Sequence, residues 1–86
     1  MTAEELRRAV LDELKRIAPE VEESELVPSK LLRDQVDLDS MDWLNFLVAL
    51  HERFKVEIPE SDYAKLGTLD DLSAYLSRRL PANVSP

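Results

Sequence analysis

The chain contains no cysteine. Disulfides, cysteine-ligated zinc, iron–sulfur clusters and a catalytic thiol are therefore excluded. It has a single glycine, Gly67, whereas an all-β chain needs many glycine-rich turns. No apolar run approaches the ~20 residues of a membrane span. The opening Met1-Thr2-Ala3-Glu4-Glu5-Leu6 carries no apolar signal region. These absences lead us to expect a soluble cytoplasmic protein without membrane insertion. Positive charge is also scarce, with 11 Lys and Arg against 18 Asp and Glu, for a net −7. Direct nucleic-acid binding needs a basic surface and is not expected.

What remains is a chain of 86 residues, 44% hydrophobic and 34% charged. That suits one folded domain with a modest core. The acidity is uneven. Between Asp34 and Asp62 only Arg53 and Lys55 oppose Asp34, Asp37, Asp39, Asp42, Glu52, Glu57, Glu60 and Asp62. An acidic surface there would favour basic partners and speed their encounter, or simply aid solubility.

Four helices are expected. Thr2 and Glu5 fit a capping box. Leu6, Val10, Leu14 and Ile17 then recur at helical spacing, so a first helix should span about 3–17. A long connection follows from Ala18 to Asp39. Leu26, Val27, Leu31, Leu32, Val36 and Leu38 should pin it to the core, with a short helical turn at about 29–33. Loops this long in a small domain are often functional. The second helix should begin at Asp39 or Ser40 and end near Phe54. Lys55 to Ile58 reads as an extended exit before Pro59. A short third helix is expected over 60–66, with Gly67 as its C-terminal cap. Thr68 should cap the fourth helix, whose buried face is Leu69, Leu72, Leu76 and Leu80. The domain should cover 1–80, and 81–86 should be a flexible tail. The fold class is all-α, a four-helix bundle with a long loop between helices 1 and 2 and a short third helix.

The second helix carries two apolar arcs when turned at about 100° per residue. Trp43, Phe46, Leu47, Leu50 and Phe54 form a core stripe. Met41, Leu44 and Val48 form another, bordered by Asn45, His51 and Glu52. A surface helix needs only one such stripe. Either Leu44 and Val48 are buried against the long loop, or the second arc is an exposed docking patch. Ser40 begins this helix. It is either an ordinary N-terminal serine or a site for a phosphate ester, which the free amides and dipole of a helix N-terminus favour.

At this point the sequence resembles a known family. Asp37-Leu38-Asp39-Ser40-Met41-Asp42, then Leu50-His51-Glu52-Arg53-Phe54, then Val56-Glu57-Ile58-Pro59, look like an acyl carrier protein. The likeness runs along the whole chain to Thr68-Leu69-Asp70-Asp71-Leu72. It implies that Ser40 carries a 4′-phosphopantetheine arm transferred from coenzyme A by a separate phosphopantetheinyl transferase. The arm's thiol would hold acyl groups as thioesters, a sulfur that this cysteine-free chain does not supply. Tethering would raise the acyl group's local concentration at partner active sites, and the helical core would open to shelter an acyl chain. Asp39 and Met41 match positions beside the attachment serine. Asp42, Leu44, Asn45, Val48, His51, Glu52 and Glu60 match partner-docking positions. The implied partners are acyl-transferring, acyl-activating or condensing enzymes with basic docking surfaces, in fatty acid, lipid or related acyl metabolism. The carrier would be monomeric and not itself an enzyme.

The sequence departs from the family pattern at several positions. Asp37 stands where a Gly is common, Met41 where Leu is usual, and Asn45 and His51 where acids are typical. Trp43 is unusually bulky for this helix. These departures suggest a specialised carrier. Two other readings remain open, a peptidyl- or D-alanyl-type carrier and a helical interaction module with no prosthetic group. Peptidyl carriers usually show a Gly-Gly-His/Asp-Ser run, which Asp-Leu-Asp-Ser does not match. A calcium loop starting at Asp37 would need Gly at 42 and Glu at 48, and both fail. The single His, His51, lies eleven residues and about 16 Å of helix from Ser40, too far to act as its base.

Overall fold

The structure is a computed structural model and describes residues 2–80. It is helical, with α1 (Ala3–Ile17), α2 (Leu32–Gln35), α3 (Ser40–Phe54), α4 (Leu69–Arg79) and two 3-10 turns at Glu23–Glu25 and Glu60–Lys65. The expected all-α bundle is present, and its short third helix is the second of these 3-10 turns. The expected tail at 81–86 lies outside the described residues.

The capping box starts α1. The Glu5 amide donates to Thr2 Oγ1 at 3.1 Å, and the Thr2 amide donates to Glu5 Oε1 at 2.8 Å. Leu6, Ala9, Val10, Leu11 and Leu14 then fall on the buried side. Lys15 and Arg16 sit in the last turn, where the helix dipole favours positive charge. α1 packs against both α3 and α4. α3 contributes Phe46, Leu47, Leu50 and Phe54, and α4 contributes Leu69, Leu72 and Leu76. Each fully buried Leu or Phe stabilises the fold by roughly 1.5–3 kcal/mol relative to exposure. Leu80 is only half-buried, at the end of α4.

Periodicity did not reveal Glu13. It is buried on α1, where Arg53 of α3 donates to its Oε2 at 2.6 Å. Arg16 approaches the same oxygen at 3.9 Å. Burial of this carboxylate is tolerated because it is paired across the α1–α3 interface.

The long loop is pinned by fewer apolar residues than expected. Val21, Leu32, Val36 and Leu38 are buried, Leu26 is half-buried, and Val27 and Leu31 face solvent. Polar contacts do the rest. The Gln35 side-chain amide donates to the carbonyls of Val27, Lys30 and Leu31, and its Oε1 accepts from the Val27 amide. This one side chain closes the 27–35 turn. It also explains why the short helix is Leu32–Gln35 rather than 29–33. The loop is then tied to the start of α4 by Leu32 N to Gly67 O at 2.8 Å and Asp70 N to Pro28 O at 3.1 Å.

Two local conformations differ from expectation. Gly67 does not adopt the left-handed cap conformation. It provides space instead, since a Cβ there would lie 2.5 Å from Leu31 Cδ2. That atom is the tip of an exposed, flexible side chain, so the close approach is relieved by a rotamer change. The left-handed residue is Lys55, with φ 57° and ψ 39°, which ends α3 where an extended residue was expected. From there Val56 and Ile58 return to the core.

Candidate functional site

Asp39 determines where α3 begins. Its backbone is extended, and its carboxylate accepts from the Asp42 amide at 2.8 Å. Its carbonyl accepts the first intrahelical bond, from Trp43 N at 2.9 Å. Asp39 is thus the cap and Ser40 the first helical residue, within the expected start at Asp39 or Ser40. Ser40 is exposed. The amides of Ser40 and Met41 have no acceptor among the described residues. An exposed hydroxyl beside two free amides at the positive end of a helix dipole fits a phosphate ester. Among the described residues no cluster of three His, Cys, Asp or Glu could hold a metal ion.

The second apolar arc of α3 is exposed. Met41, Leu44 and Val48 are 65%, 41% and 40% accessible. Burial of Leu44 and Val48 against the long loop is therefore overturned. The loop packs Val21, Leu32, Val36 and Leu38 inward and does not cover this arc. Trp43 is half-buried at the edge of the core, tilted 47° to Phe46 with 5.5 Å between ring centroids. Asn45 and Glu52 are exposed and Asp42 is half-buried. A groove of about 230 Å³ runs beside Val48, lined by Leu47, His51, Glu57, Ile58 and Tyr63.

His51 does more than border this face. Its Nδ1 lies 2.7 Å from the Val56 carbonyl oxygen. A carbonyl only accepts, so Nδ1 carries the proton and donates. This bond holds the chain as it turns out of α3 through Lys55.

Glu60 is exposed at the start of the 3-10 turn Glu60–Lys65. Asp62 anchors that turn to α4. The Tyr75 hydroxyl donates to Asp62 Oδ2 at 2.6 Å, and Arg79 and Lys65 approach the carboxylate at 3.5 and 3.6 Å. The Arg79 guanidinium also lies 3.9 Å from the centroid of the Tyr75 ring. The Tyr75 hydrogen bond first, and then the two cations, hold the Asp62 carboxyl below its ordinary value of 3.8. Burial first, and then the bond to Asp62, push the Tyr75 hydroxyl up. The Asp62 contribution to stability is complete above its ordinary value and is lost as pH falls through the lowered one. Tyr75→Phe should return the Asp62 carboxyl toward its ordinary value, so that the variant is less stable than wild type at pH 7 and the gap narrows as pH falls below 3.8. NMR titration of Asp62 beside thermal melts at pH 3 and 7 would check this.

A family model described as a phosphopantetheine attachment site matches residues 4–76. The chain belongs to the acyl carrier protein family. It is 30% identical over 78 residues to the meromycolate extension acyl carrier protein of Mycobacterium tuberculosis, covering 91% of this chain and 67% of that protein. The protein of the same name from Mycolicibacterium aurum is 34% identical over 58 residues, 67% of this chain and 60% of that protein. A solution structure assigned to an acyl carrier protein of Anaplasma phagocytophilum superposes with a TM-score of 0.79 at 28% identity, over 91% of each chain. The protein is a phosphopantetheine-bearing acyl carrier, of a family that is in general non-catalytic and works with acyl-processing enzymes. No helix among the described residues is long and apolar enough to cross a membrane.

Proposed function

We propose that Ser40 bears the 4′-phosphopantetheine arm and that a separate phosphopantetheinyl transferase attaches it. The observation that carries this reading is the exposed Ser40 hydroxyl at the first position of α3, beside two amides without an acceptor among the described residues. When bound, the group supplies the thiol that holds acyl units as thioesters. The chain's own residues present and orient it. Asp39 caps α3 and fixes the serine's position, and the Ser40 and Met41 amides would offer hydrogen-bond donors to its phosphate. Met41, Leu44 and Val48 form the apolar centre of a docking face, with Asp42, Asn45, His51, Glu52 and Glu60 around it. Its acidity suits cytoplasmic acyl-processing enzymes with basic surfaces. The carrier domain covers 1–80 in this proposal, and the carrier acts as a monomer.

The test is the intact mass of the protein after incubation with coenzyme A, magnesium and a broad-specificity transferase. The wild-type protein should gain one phosphopantetheine unit, and folded Ser40→Ala should gain none. Gain by the variant, or none by the folded wild-type protein, would overturn the assignment.

The carrier is further read as a specialised one. Asp37, Trp43, Asn45 and His51 alter the docking helix and its approach, and the relatives named above are carriers of meromycolate extension. Slow elongation by a standard fatty acid synthase set is expected, and turnover at ordinary rates would contradict it.

A further inference from the structure

We propose that Arg33 holds the phosphodiester on Ser40, a role that rests on the Ser40 reading above. Between Lys30 and Arg53 it is the sole Lys or Arg of the sequence, in a stretch that also holds Asp34, Asp37, Asp39, Asp42 and Glu52. It sits on α2 and is exposed.

Its Nε donates to the Leu38 carbonyl at 3.4 Å. A bond that long orients the guanidinium more than it binds it. It lays the side chain back along the segment leading to Ser40. Leu38 lies two residues before Ser40, a span of at most about 7 Å. Both Nη groups are without an acceptor among the described residues. Four of the seven arginines are ion-paired among the described residues. Arg8, Arg16, Arg53 and Arg79 each reach a carboxylate within 4 Å. Arg33, like Arg7 and Arg78, pairs with none among the described residues, although Asp34, Asp37 and Asp39 are its neighbours in sequence.

An ester on Ser40 adds a negative charge between Asp39 and Asp42, where like charges repel. A guanidinium with free Nη groups offsets that charge. Its planar fork also matches two phosphate oxygens better than an ammonium does. Arg33 is a positioning residue here. It limits where the arm points and has no part in the chemistry of the thiol.

The test compares unloaded and loaded protein by NMR. Loading should shift the Arg33 Nε–Hε signal more than those of Arg7 and Arg78 on α1 and α4. The ester ³¹P signal should differ between loaded wild-type and Arg33→Gln protein, with Arg33→Lys between them. That difference should fade in 1 M salt, where the Debye length is about 3 Å. An unmoved Arg33 signal on loading, or a ³¹P signal unchanged in Arg33→Gln, would overturn the proposal. If a variant misfolds, the wild-type comparison decides alone. Loading of Ser40→Ala would instead overturn the attachment site itself, so the two failures are distinguishable.

Discussion

Phe46→Ala should lower stability by about 3–5 kcal/mol, the range for truncating a buried aromatic. Phe46 is fully buried on α3 and packs against the half-buried Trp43. The transfer term and the cavity left between α1 and α3 add together. A chain of this size has a total stability of about 4–13 kcal/mol. The loss therefore removes a large share, and the melting temperature should drop by about 12 °C or more. The functional consequence follows from the same helix. Ser40 and the exposed arc are held in place only while α3 is docked through Phe46, Leu47 and Leu50. Loading should weaken with the folded fraction, measured by circular dichroism melts beside loading rates at 20 and 37 °C. A loss below 1 kcal/mol would mean that Phe46 does not organise the core.

The second large effect separates docking from folding. Leu44→Asp and Val48→Asp put charges at the centre of the exposed arc, where both side chains are about 40% accessible. Neither should shift the melting temperature by more than a few degrees, because no core contact is removed. Each should reduce the transferase kcat/KM by roughly ten-fold or more, since an unpaired carboxylate buried at the centre of an apolar contact costs more than the about 1.4 kcal/mol that ten-fold represents. The loss should appear mainly in KM. Unchanged kinetics in both variants would mean that partners approach the serine from another face.

The long helices were legible in the sequence because their signals are local. The Thr2–Glu5 box, the spacing of Leu6, Val10 and Leu14, and Thr68 before Leu69 all act within a turn or two. The two arcs of α3 were legible as arcs. Only the structure shows that Leu44 and Val48 face water, because that depends on where a distant loop packs. The loop itself was harder to read. Its shape depends on Gln35 reaching back to Val27, and on Pro28 and Leu32 meeting the start of α4. Contacts of that kind leave no periodic trace. Gly67 was misjudged because a glycine after a helix has two uses, a left-handed cap or room for a neighbour, and only the position of Leu31 decides. The partners of Glu13 and His51 lie across an interface or beyond a helix end, so neither role could be read from spacing. The position of Ser40 at the start of α3 was legible to within one residue.

The most direct test of the central claim is to locate the prosthetic group on the loaded chain. Trypsin cleavage after Arg33 and Arg53 releases residues 34–53, in which Ser40 is the sole hydroxyl-bearing side chain. Tandem mass spectrometry of the loaded protein should find the phosphopantetheine mass on that fragment. Its appearance on a fragment bearing Ser24, Ser29, Ser61, Ser73 or Ser77 instead would contradict the assignment of Ser40.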